Sequence, residues 1–349
     1  MIPLLRPDFP SLLEVDKLFS VCHENNIYTN FGKLFYESVE RLSVLMRGEA
    51  LPTSSGTTAI QVALSTMNAK GKRVAIPDYT HSGTLLAVIA AQAKPVLFPV
   101  DQNWIISKKH LKDHWNEYDM AVIVSPFGYD LDVHGFESLS VELKKPFVYD
   151  FAGSFGRFPE TINPRCYSFH ATKNFSVGEG GCVVLPDLKM WQRAQWISNF
   201  YTNPEDRSIL DDTGGNLKVD ELRCALILQM LKPKNLSAVY KKIENKNALL
   251  SFYEEKINTA VMPEGEKHTS LCVLNIKNSR NIEPLLYKSG IQAKSYYPLL
   301  SSMTGLAHID RVGHSDESMK DCLALPSDVS LSEALKVVEC VNGIIKSSR

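Results

Sequence analysis

The chain has 349 residues, of which 44% are hydrophobic and 22% are charged, enough to fill the core of one large domain and a smaller one. Its formal net charge is -1 at pH 7, so no overall positive field attracts nucleic acid or an anionic membrane. The seven cysteines form no C-x-x-C pair, which excludes a zinc knuckle and gives no disulfide framework. The start, MIPLLRPDFP, shows no basic n-region followed by an apolar h-region, so no secretory signal is expected, and no apolar run approaches the ~20 residues of a membrane span. A cytoplasmic protein without a nucleic-acid or membrane partner is expected.

Short apolar runs alternate with helical patterns through the first two-thirds of the chain. Expected strands cover residues 73–76, 95–99, 120–124, 146–149, 166–169 and 181–185. Apolar periodicity between them predicts helices over residues 57–67, 82–93, 108–114 and 135–143. This alternation predicts an α/β domain in which helices cover a mostly parallel sheet.

The pattern changes after residue 219. Consecutive helices are expected over residues 219–231 and 236–256, followed by an apolar run at 269–276 and helices at 283–289 and 331–345. The sequence therefore predicts two domains. A large domain with an N-terminal arm covers residues 1–235, and a smaller α+β domain covers residues 236–349.

The segment LPTSSGTTAIQVAL places a turn of small residues directly before an amphipathic helix. The amides of Gly56, Thr57 and Thr58 would lie at the positive end of the helix dipole, where a phosphate binds readily. The same serines and threonines also suit an ordinary helix N-cap, so the segment alone does not decide.

In PFVYDFAGSFG, apolar residues lead to Asp150, which would stand at the carboxyl end of a strand. Ligands of open α/β sheets bind at that edge. A carboxylate there can pair with a protonated pyridine nitrogen. Alternatively, Asp150 caps the turn that follows.

In CYSFHATKNFSVGEGGCVV, Lys173 falls in a loop between two short strands, five residues after Ser168. A lysine near a cofactor aldehyde forms an imine, and burial lowers its pKa so that it acts as a nucleophile. The Ser168 hydroxyl could donate to a phosphate. The alternatives are a surface lysine and a plain glycine-rich hairpin.

Histidines raise two further hypotheses. In IPDYTHSGT, the His81 imidazole could lie against a cofactor ring, or it could be solvated beside capping hydroxyls. His110 and His114 have the i, i+4 spacing of a metal site, but SKKHLKDHWNE lacks the H-E-x-x-H glutamate and is strongly polar. A solvated helix face is favoured there, and no metal site is expected.

In chain order, SGTTA, PDYTHSGT, Asp150, SFHATK and GEGG resemble the DegT/DnrJ/EryC1/StrS aminotransferases. These are pyridoxal 5′-phosphate (PLP) enzymes of the aspartate aminotransferase fold, type I, that act on nucleotide-linked keto sugars. YTNFG, GGNLKVDELRCAL and CLALPSD extend the resemblance over nearly the whole chain. It implies a three-layer PLP-binding large domain and a smaller C-terminal α+β domain.

The resemblance also implies roles for individual residues. Lys173 matches the Schiff-base lysine, and Asp150 matches the partner of the pyridine nitrogen. His81 occupies the place of an aromatic residue that stacks on the cofactor. The cofactor phosphate would be held by a cup from one subunit and by an asparagine of the neighbouring subunit, which correspond to Gly56, Thr57, Thr58, Ser168 and Asn216.

Two positions depart from the family pattern. The family commonly reads D-A-A-Q or D-A-A-H after its aspartate, whereas this chain has Gly153 at the place of the glutamine or histidine. Ser154 is the candidate replacement for the lost cofactor contact. The second departure is His81 in place of phenylalanine, tyrosine or tryptophan.

The implied function is a PLP-dependent transaminase that moves an amino group, with L-glutamate as donor, to a keto sugar on a nucleoside diphosphate. Such an enzyme would work as a homodimer with shared active sites, in amino sugar and polysaccharide biosynthesis. Two alternatives are a PLP-dependent sugar dehydratase on the same fold and a catalytically silent PLP-binding regulatory protein. Dehydratases of the family carry histidine at the imine position, so Lys173 disfavours that branch.

Overall fold

The computed structural model describes residues 1–202, 205–257, 267–303, 305, 308–315 and 321–347. The strands are β1 (Glu49–Thr53), β2 (Arg73–Pro77), β3 (Lys94–Phe98), β4 (Met120–Val124), β5 (Phe147–Asp150), β6 (Arg165–Ser168), β7 (Gly181–Leu185), β8 (Cys272–Asn275), β9 (Lys294–Tyr296), β10 (Asp310–Arg311) and β11 (Cys322–Leu325). The α-helices are α1 (Leu12–Asn25), α2 (Lys33–Met46), α3 (Gly56–Thr66), α4 (Ser82–Ala90), α5 (Lys108–Asp113), α6 (Val133–Leu143), α7 (Leu188–Ser198), α8 (Glu221–Met230), α9 (Pro233–Lys256), α10 (Ser279–Lys288) and α11 (Leu331–Ser347). None of these described helices combines the length and apolar character needed to cross a lipid bilayer.

Eight strands form one large sheet in the order β1-β7-β6-β5-β4-β2-β3-β10. In this order, each strand from β6 through β5, β4, β2 and β3 to β10 is parallel to its neighbour. Strand β7 is antiparallel to both β6 and β1. Because β7 reverses direction on both of its sides, β1 runs the same way as β6 and β5. The carboxyl ends of β1, β6, β5 and β2 therefore lie at one edge of the sheet.

The large sheet is buried because helices cover it. All five residues of β4 and of β7 are buried, and α3 contacts β6 and β7 while α2 and α7 contact β1. Such continuous apolar strands are typical of a parallel sheet without a solvent-exposed face. The predicted α/β fold class with a mostly parallel sheet is confirmed.

A second, antiparallel sheet has the order β8-β11-β9 and packs with α9, α10 and α11. Its apolar core also takes in four aromatic residues from the first half of the chain, namely Tyr79, Trp104, Phe127 and Tyr129. The two-domain division after residue 235 stays a prediction, and that position lies in the first turn of α9. The N-terminal arm reaches the second sheet's layer, since Ile2 forms a parallel bridge with Ile291.

The sequence pattern predicts no helix before residue 57, and α1 and α2 correct this. The signal is present in α1, where Val15, Phe19 and Cys22 follow at helical spacing and face inward. Its exposed Leu12 and Leu13 blur that pattern. The sequence pattern also does not predict strand β1, because the serines and threonines that follow it give the segment the composition of a turn.

A buried carboxylate joins the start of α2 to α8. Glu221 is 1% exposed, and its oxygens accept hydrogen bonds from the amides of Gly32 (2.9 Å), Leu34 (2.8 Å) and Phe35 (3.2 Å). The first amides of a helix have no partner within the helix, so a carboxylate placed there also complements the helix dipole. Glu221 thus fixes α2 against α8.

We expect Glu221→Ala to lower the free energy of unfolding by about 3 kcal/mol or more, because three buried amides lose a charged acceptor. Urea denaturation of the variant and the wild-type protein measures this change. The matched control is Glu40→Ala on the exposed face of α2, where the loss should stay within about 0.5 kcal/mol. Equal losses in the two variants would contradict the role of Glu221.

Candidate active site

The sheet edge described above collects most of the residues singled out by sequence. Asp150 is the last residue of β5, and Ser168 is the last residue of β6. Gly56 begins α3 just after β1, and His81 is the N-cap of α4 just after β2. Ligands of open α/β sheets bind at this edge, outside the carboxyl ends of the strands.

Asp150 is a buried carboxylate with two hydrogen-bond donors. Its Oδ2 accepts from the Thr84 hydroxyl at 3.0 Å, and its Oδ1 accepts from the Ala152 amide at 3.0 Å. Burial raises the pKa of Asp150, whereas both donors and the nearby Lys173 lower it. A cation that binds beside Asp150 would therefore relieve a buried negative charge.

Lys173 lies in the tight loop between β6 and β7. Its amide donates to the His170 carbonyl at 2.8 Å, and the next side chain, Asn174, donates to the Thr269 carbonyl at 2.9 Å. Lys173 is half-buried, and the desolvation of its amine lowers its pKa while the charge of Asp150 opposes the shift. A lysine with a lowered pKa is more often neutral, and only the neutral amine is a nucleophile.

The start of α3 packs directly on the end of β6. A Cβ at Gly56 would lie 2.8 Å from the Ser168 Cβ, so a larger residue at position 56 would fill the space between them. Gly181 permits the same close approach, because a Cβ there would lie 2.5 Å from the Ser55 carbonyl oxygen. These glycines bring the first amides of α3 next to the Ser168 hydroxyl.

The predicted phosphate-binding residues of α3 differ in whether their backbone amides are free to bind an anion. The Thr58 amide donates to the Ser55 hydroxyl at 3.1 Å, and the Thr58 hydroxyl lies 2.9 Å from the same oxygen. Thr58 therefore completes the helix cap. Neither the Gly56 amide nor the Thr57 amide donates to another group in the described part of the chain. These two amides remain as donors for an anion at the helix start.

His81 lies beside the start of α3. A Cβ at Gly83 would lie 2.7 Å from the Thr57 hydroxyl and 2.8 Å from His81 Nδ1, so Gly83 separates the two side chains. His81 Nδ1 accepts a hydrogen bond from the Gly83 amide at 2.9 Å. Burial and the charge of Lys173 lower the pKa of His81, which favours a neutral imidazole.

Asn216 is the one predicted site residue that lies elsewhere. It is exposed, it forms a bridge with Asn199, and its side-chain oxygen accepts from Lys218 at 2.7 Å. The sequence suggestion for Ser154 is wrong. This residue has no exposed surface, and its hydroxyl lies 2.8 Å from that of Ser125, so it offers a ligand nothing to contact.

Two residues near Asp150 were not found from the sequence. Thr84 holds the carboxylate, and its position three residues after a helix cap at a strand end is a signal that could have indicated it. Tyr297 contacts His81 with its ring centroid 5.7 Å away. No local sequence pattern marks Tyr297, because it lies 216 positions after His81 in the chain.

The comparisons with known proteins agree with this geometry. The model of the DegT/DnrJ/EryC1/StrS aminotransferase family matches residues 17–342. Protein MT3510 of Mycobacterium tuberculosis is 25% identical over 325 residues, which cover 85% of this chain and 76% of that protein. The dTDP-4-amino-4,6-dideoxy-D-glucose transaminase of Shigella dysenteriae is 23% identical, with 94% of each chain covered.

Among solved structures, DesI, crystallised in the presence of its TDP-sugar product, superposes with a TM-score of 0.87 at 19% identity and covers 100% of this chain and 94% of its own. The resemblance inferred from SGTTA, SFHATK and GEGG is therefore confirmed. The expected PLP cofactor is confirmed with it. The chain belongs to the DegT/DnrJ/EryC1/StrS aminotransferase family and is a PLP-dependent aminotransferase.

Proposed function

We propose that this enzyme moves an amino group from L-glutamate to a keto sugar carried by a nucleoside diphosphate. The observation that carries the proposal is the half-buried Lys173, whose amine interacts electrostatically with the buried Asp150 carboxylate, at the sheet edge next to an anion cradle. Relatives support the substrate class. They include the Shigella dysenteriae transaminase and the UDP-N-acetyl-3-dehydro-alpha-D-glucosamine 3-aminotransferase of Acidithiobacillus ferrooxidans, which is 25% identical over 292 residues.

The residues present fit PLP. The Gly56 and Thr57 amides and the Ser168 hydroxyl suit its phosphate, since the two amides donate to no other group in the described part of the chain and the glycine at position 56 lets the start of α3 lie against Ser168. The Asp150 carboxylate suits a protonated ring nitrogen, because it is buried with only neutral donors on its oxygens. When bound, PLP supplies an aldehyde that condenses with amines and a ring that accepts electrons.

The protein's own groups then divide the work. Lys173 would hold the cofactor aldehyde through its amine until an amino donor displaced it. The freed amine would take the proton from the α-carbon of the donor and pass it on toward the carbon that receives the amino group, for which a lysine with a lowered pKa is suited. Asp150, held in place by Thr84 and Ala152, would pair its carboxylate with the protonated ring nitrogen. His81, whose Nδ1 accepts from the Gly83 amide, would present its imidazole to the cofactor.

We also propose a homodimer in which Asn216 reaches the phosphate bound by the neighbouring subunit. Support comes from its exposed position away from the described contacts of Lys173 and Ser168. Further support comes from large apolar side chains exposed on α1, α2 and α8, which a second copy would cover, namely Leu12, Leu13, Tyr36, Val44 and Leu222.

Lys173→Ala should abolish glutamate-dependent amination while the protein keeps its fold, because no other amine takes over attachment and proton transfer. The measurement is amine-product formation over a panel of nucleotide keto sugars, with the absorbance of bound PLP followed as glutamate is added. Lys189→Ala, on the exposed start of α7, is the matched control and should keep the wild-type rate. Near-normal turnover by Lys173→Ala would refute the assignment. Dehydrated sugar without amine would favour the dehydratase alternative.

Asp150→Asn should make the cofactor-free protein more stable and bind PLP about tenfold or more weakly. Burial raises the pKa of Asp150 above its usual 3.8, so the folded wild-type protein loses stability as pH rises from about that usual value through the raised pKa. The stability advantage of the asparagine variant should therefore be larger at about pH 8 than at about pH 4, which is close to the usual pKa. Thermal unfolding at both pH values and PLP titration measure the two effects. Exposed Asp16→Asn is the control, and an equal gain there would contradict the argument.

Mixing two defective variants tests whether active sites are shared. Asn216→Asp places a negative charge against the proposed phosphate, and Lys173→Ala removes the attachment amine. If Asn216 acts across the interface, each mixed dimer has one intact site, and a random mixture regains about a quarter of wild-type activity. If Asn216 acts within its own subunit, or the enzyme is a monomer, the mixture stays inactive. Each variant mixed with itself is the control.

A further inference from the structure

Position 153, where the family commonly has glutamine or histidine, accepts no side chain in this fold. A Cβ at Gly153 would lie 2.8 Å from the Gly128 nitrogen, 2.9 Å from the Phe127 carbonyl carbon and 3.2 Å from the Phe127 Cα. All three atoms belong to the backbone, which cannot turn aside as a flexible side chain does. The turn after β4 therefore occupies the space in which a side chain at position 153 would begin.

That turn holds Phe127 in a left-handed conformation, with φ 56° and ψ 5°. Such a conformation is strained for a bulky residue, so other contacts must maintain it. The Phe127 carbonyl accepts hydrogen bonds from the Ser270 amide at 3.0 Å and from the Ser270 hydroxyl at 3.2 Å. The Gly128 carbonyl accepts from the His268 amide at 2.8 Å. The conformation is thus fixed from the segment that precedes β8.

Phe127 begins a chain of two ring contacts that ends at His81. The Phe127 ring lies parallel to the Tyr297 ring, with centroids 5.5 Å apart and planes at 10°. The Tyr297 ring meets His81 edge-on, at 5.7 Å and 78°. Aromatic pairs in these two geometries stabilise each other beyond the effect of burial alone.

Tyr79 fixes the backbone on the other side of these ring contacts. Its hydroxyl donates to the Tyr296 carbonyl at 2.6 Å and accepts from the Tyr297 amide at 3.1 Å. Asp78, one position earlier, accepts from the Ser301 amide at 2.8 Å and from the Ser301 hydroxyl at 2.7 Å. The Leu300 amide also donates to the Asp78 carbonyl at 2.8 Å, so five hydrogen bonds among the described residues join the strand end that carries His81 to the segment that carries Tyr297.

We propose that Tyr297 is a positioning residue that holds the His81 imidazole against the bound cofactor, and that Gly153 and His81 are linked parts of one arrangement. Glycine at position 153 admits the Phe127 turn, Phe127 supports Tyr297, and Tyr297 fixes a ring smaller than the family's usual aromatic residue. The proposal rests on the site assignments made under the proposed function, in particular on PLP lying beside His81.

The Tyr297 ring acts through its shape. Its hydroxyl makes no hydrogen bond within the described residues, and burial, with Tyr296 and Asp150 nearby, raises its pKa, so the ring stays neutral. Phenylalanine at position 297 would keep both ring contacts, whereas alanine would remove them. The two substitutions therefore separate the effect of the ring contacts from the effect of the Tyr297 hydroxyl.

The experiment compares PLP affinity and the induced circular dichroism of bound PLP in Tyr297→Ala, Tyr297→Phe and the wild-type protein. We expect alanine to weaken PLP binding about tenfold and to remove most of the induced signal. Phenylalanine should stay within about twofold of wild type. Phe158→Ala is the matched control, because Phe158 packs on Phe155 and Tyr167 away from His81. It should lose thermal stability and keep both PLP readouts.

The combination with His81→Ala tests the linkage. Tyr297→Ala should cause no further loss of PLP affinity once the imidazole is gone, so the two losses should be far from additive. Gly153→Ala should reproduce Tyr297→Ala, and if it fails to fold, the Tyr297 series alone decides. The inference would be overturned if the wild-type protein binds PLP and Tyr297→Ala leaves both readouts unchanged. Additive losses of PLP affinity in the double variant would overturn it as well. Wild-type protein that binds no PLP would instead refute the proposed function.

Discussion

The buried charge of Asp150 is the constraint on which the site depends. A carboxylate that is 5% exposed has lost most of its hydration, and its two neutral donors restore only part of the stabilisation. The fold tolerates this loss because the strand ends, Thr84 and the Ala152 amide are fixed by the sheet. A cation that binds beside the carboxylate would offset the loss, and this is the physical basis on which we propose Asp150 as the partner of the protonated ring nitrogen of PLP.

Strand direction explains why this carboxylate and the anion cradle share one edge. Two antiparallel pairings through β7 leave β1 parallel to β6 and β5, so Thr53 and Ser168 both register with Gly181. A single reversed strand would have sent the start of α3 to the opposite edge. The glycine between Thr53 and Ser168 then lets α3 approach within van der Waals contact, and cradle and carboxylate end one strand apart.

Sequence patterns predict the features of this fold that depend on residues close together in the chain. Strands β4 and β7 are predicted at their observed bounds because their apolar runs are continuous. The apolar run before Asp150 also predicts its place at a strand end, whereas the role of Lys173, in the loop between β6 and β7, follows only from the resemblance of the surrounding motif. The prediction for Ser154 is wrong because its neighbour Ser125 is 29 residues away, and only the folded chain brings the two hydroxyls together. Tyr297 is missed for the same reason, since its partners Tyr79 and Phe127 precede it by far more than any helical or strand period.

These long-range contacts also decide how the two parts of the chain communicate. Tyr79 and Phe127 follow strands of the large sheet, yet they belong to the core of the small one. Tyr297 directly follows β9 of the small sheet and contacts His81, whereas Asp150 and Ser168 end strands of the large sheet. Under the proposed site assignments, the residues that anchor the cofactor and the ring contact that orients His81 therefore depend on different parts of the packing.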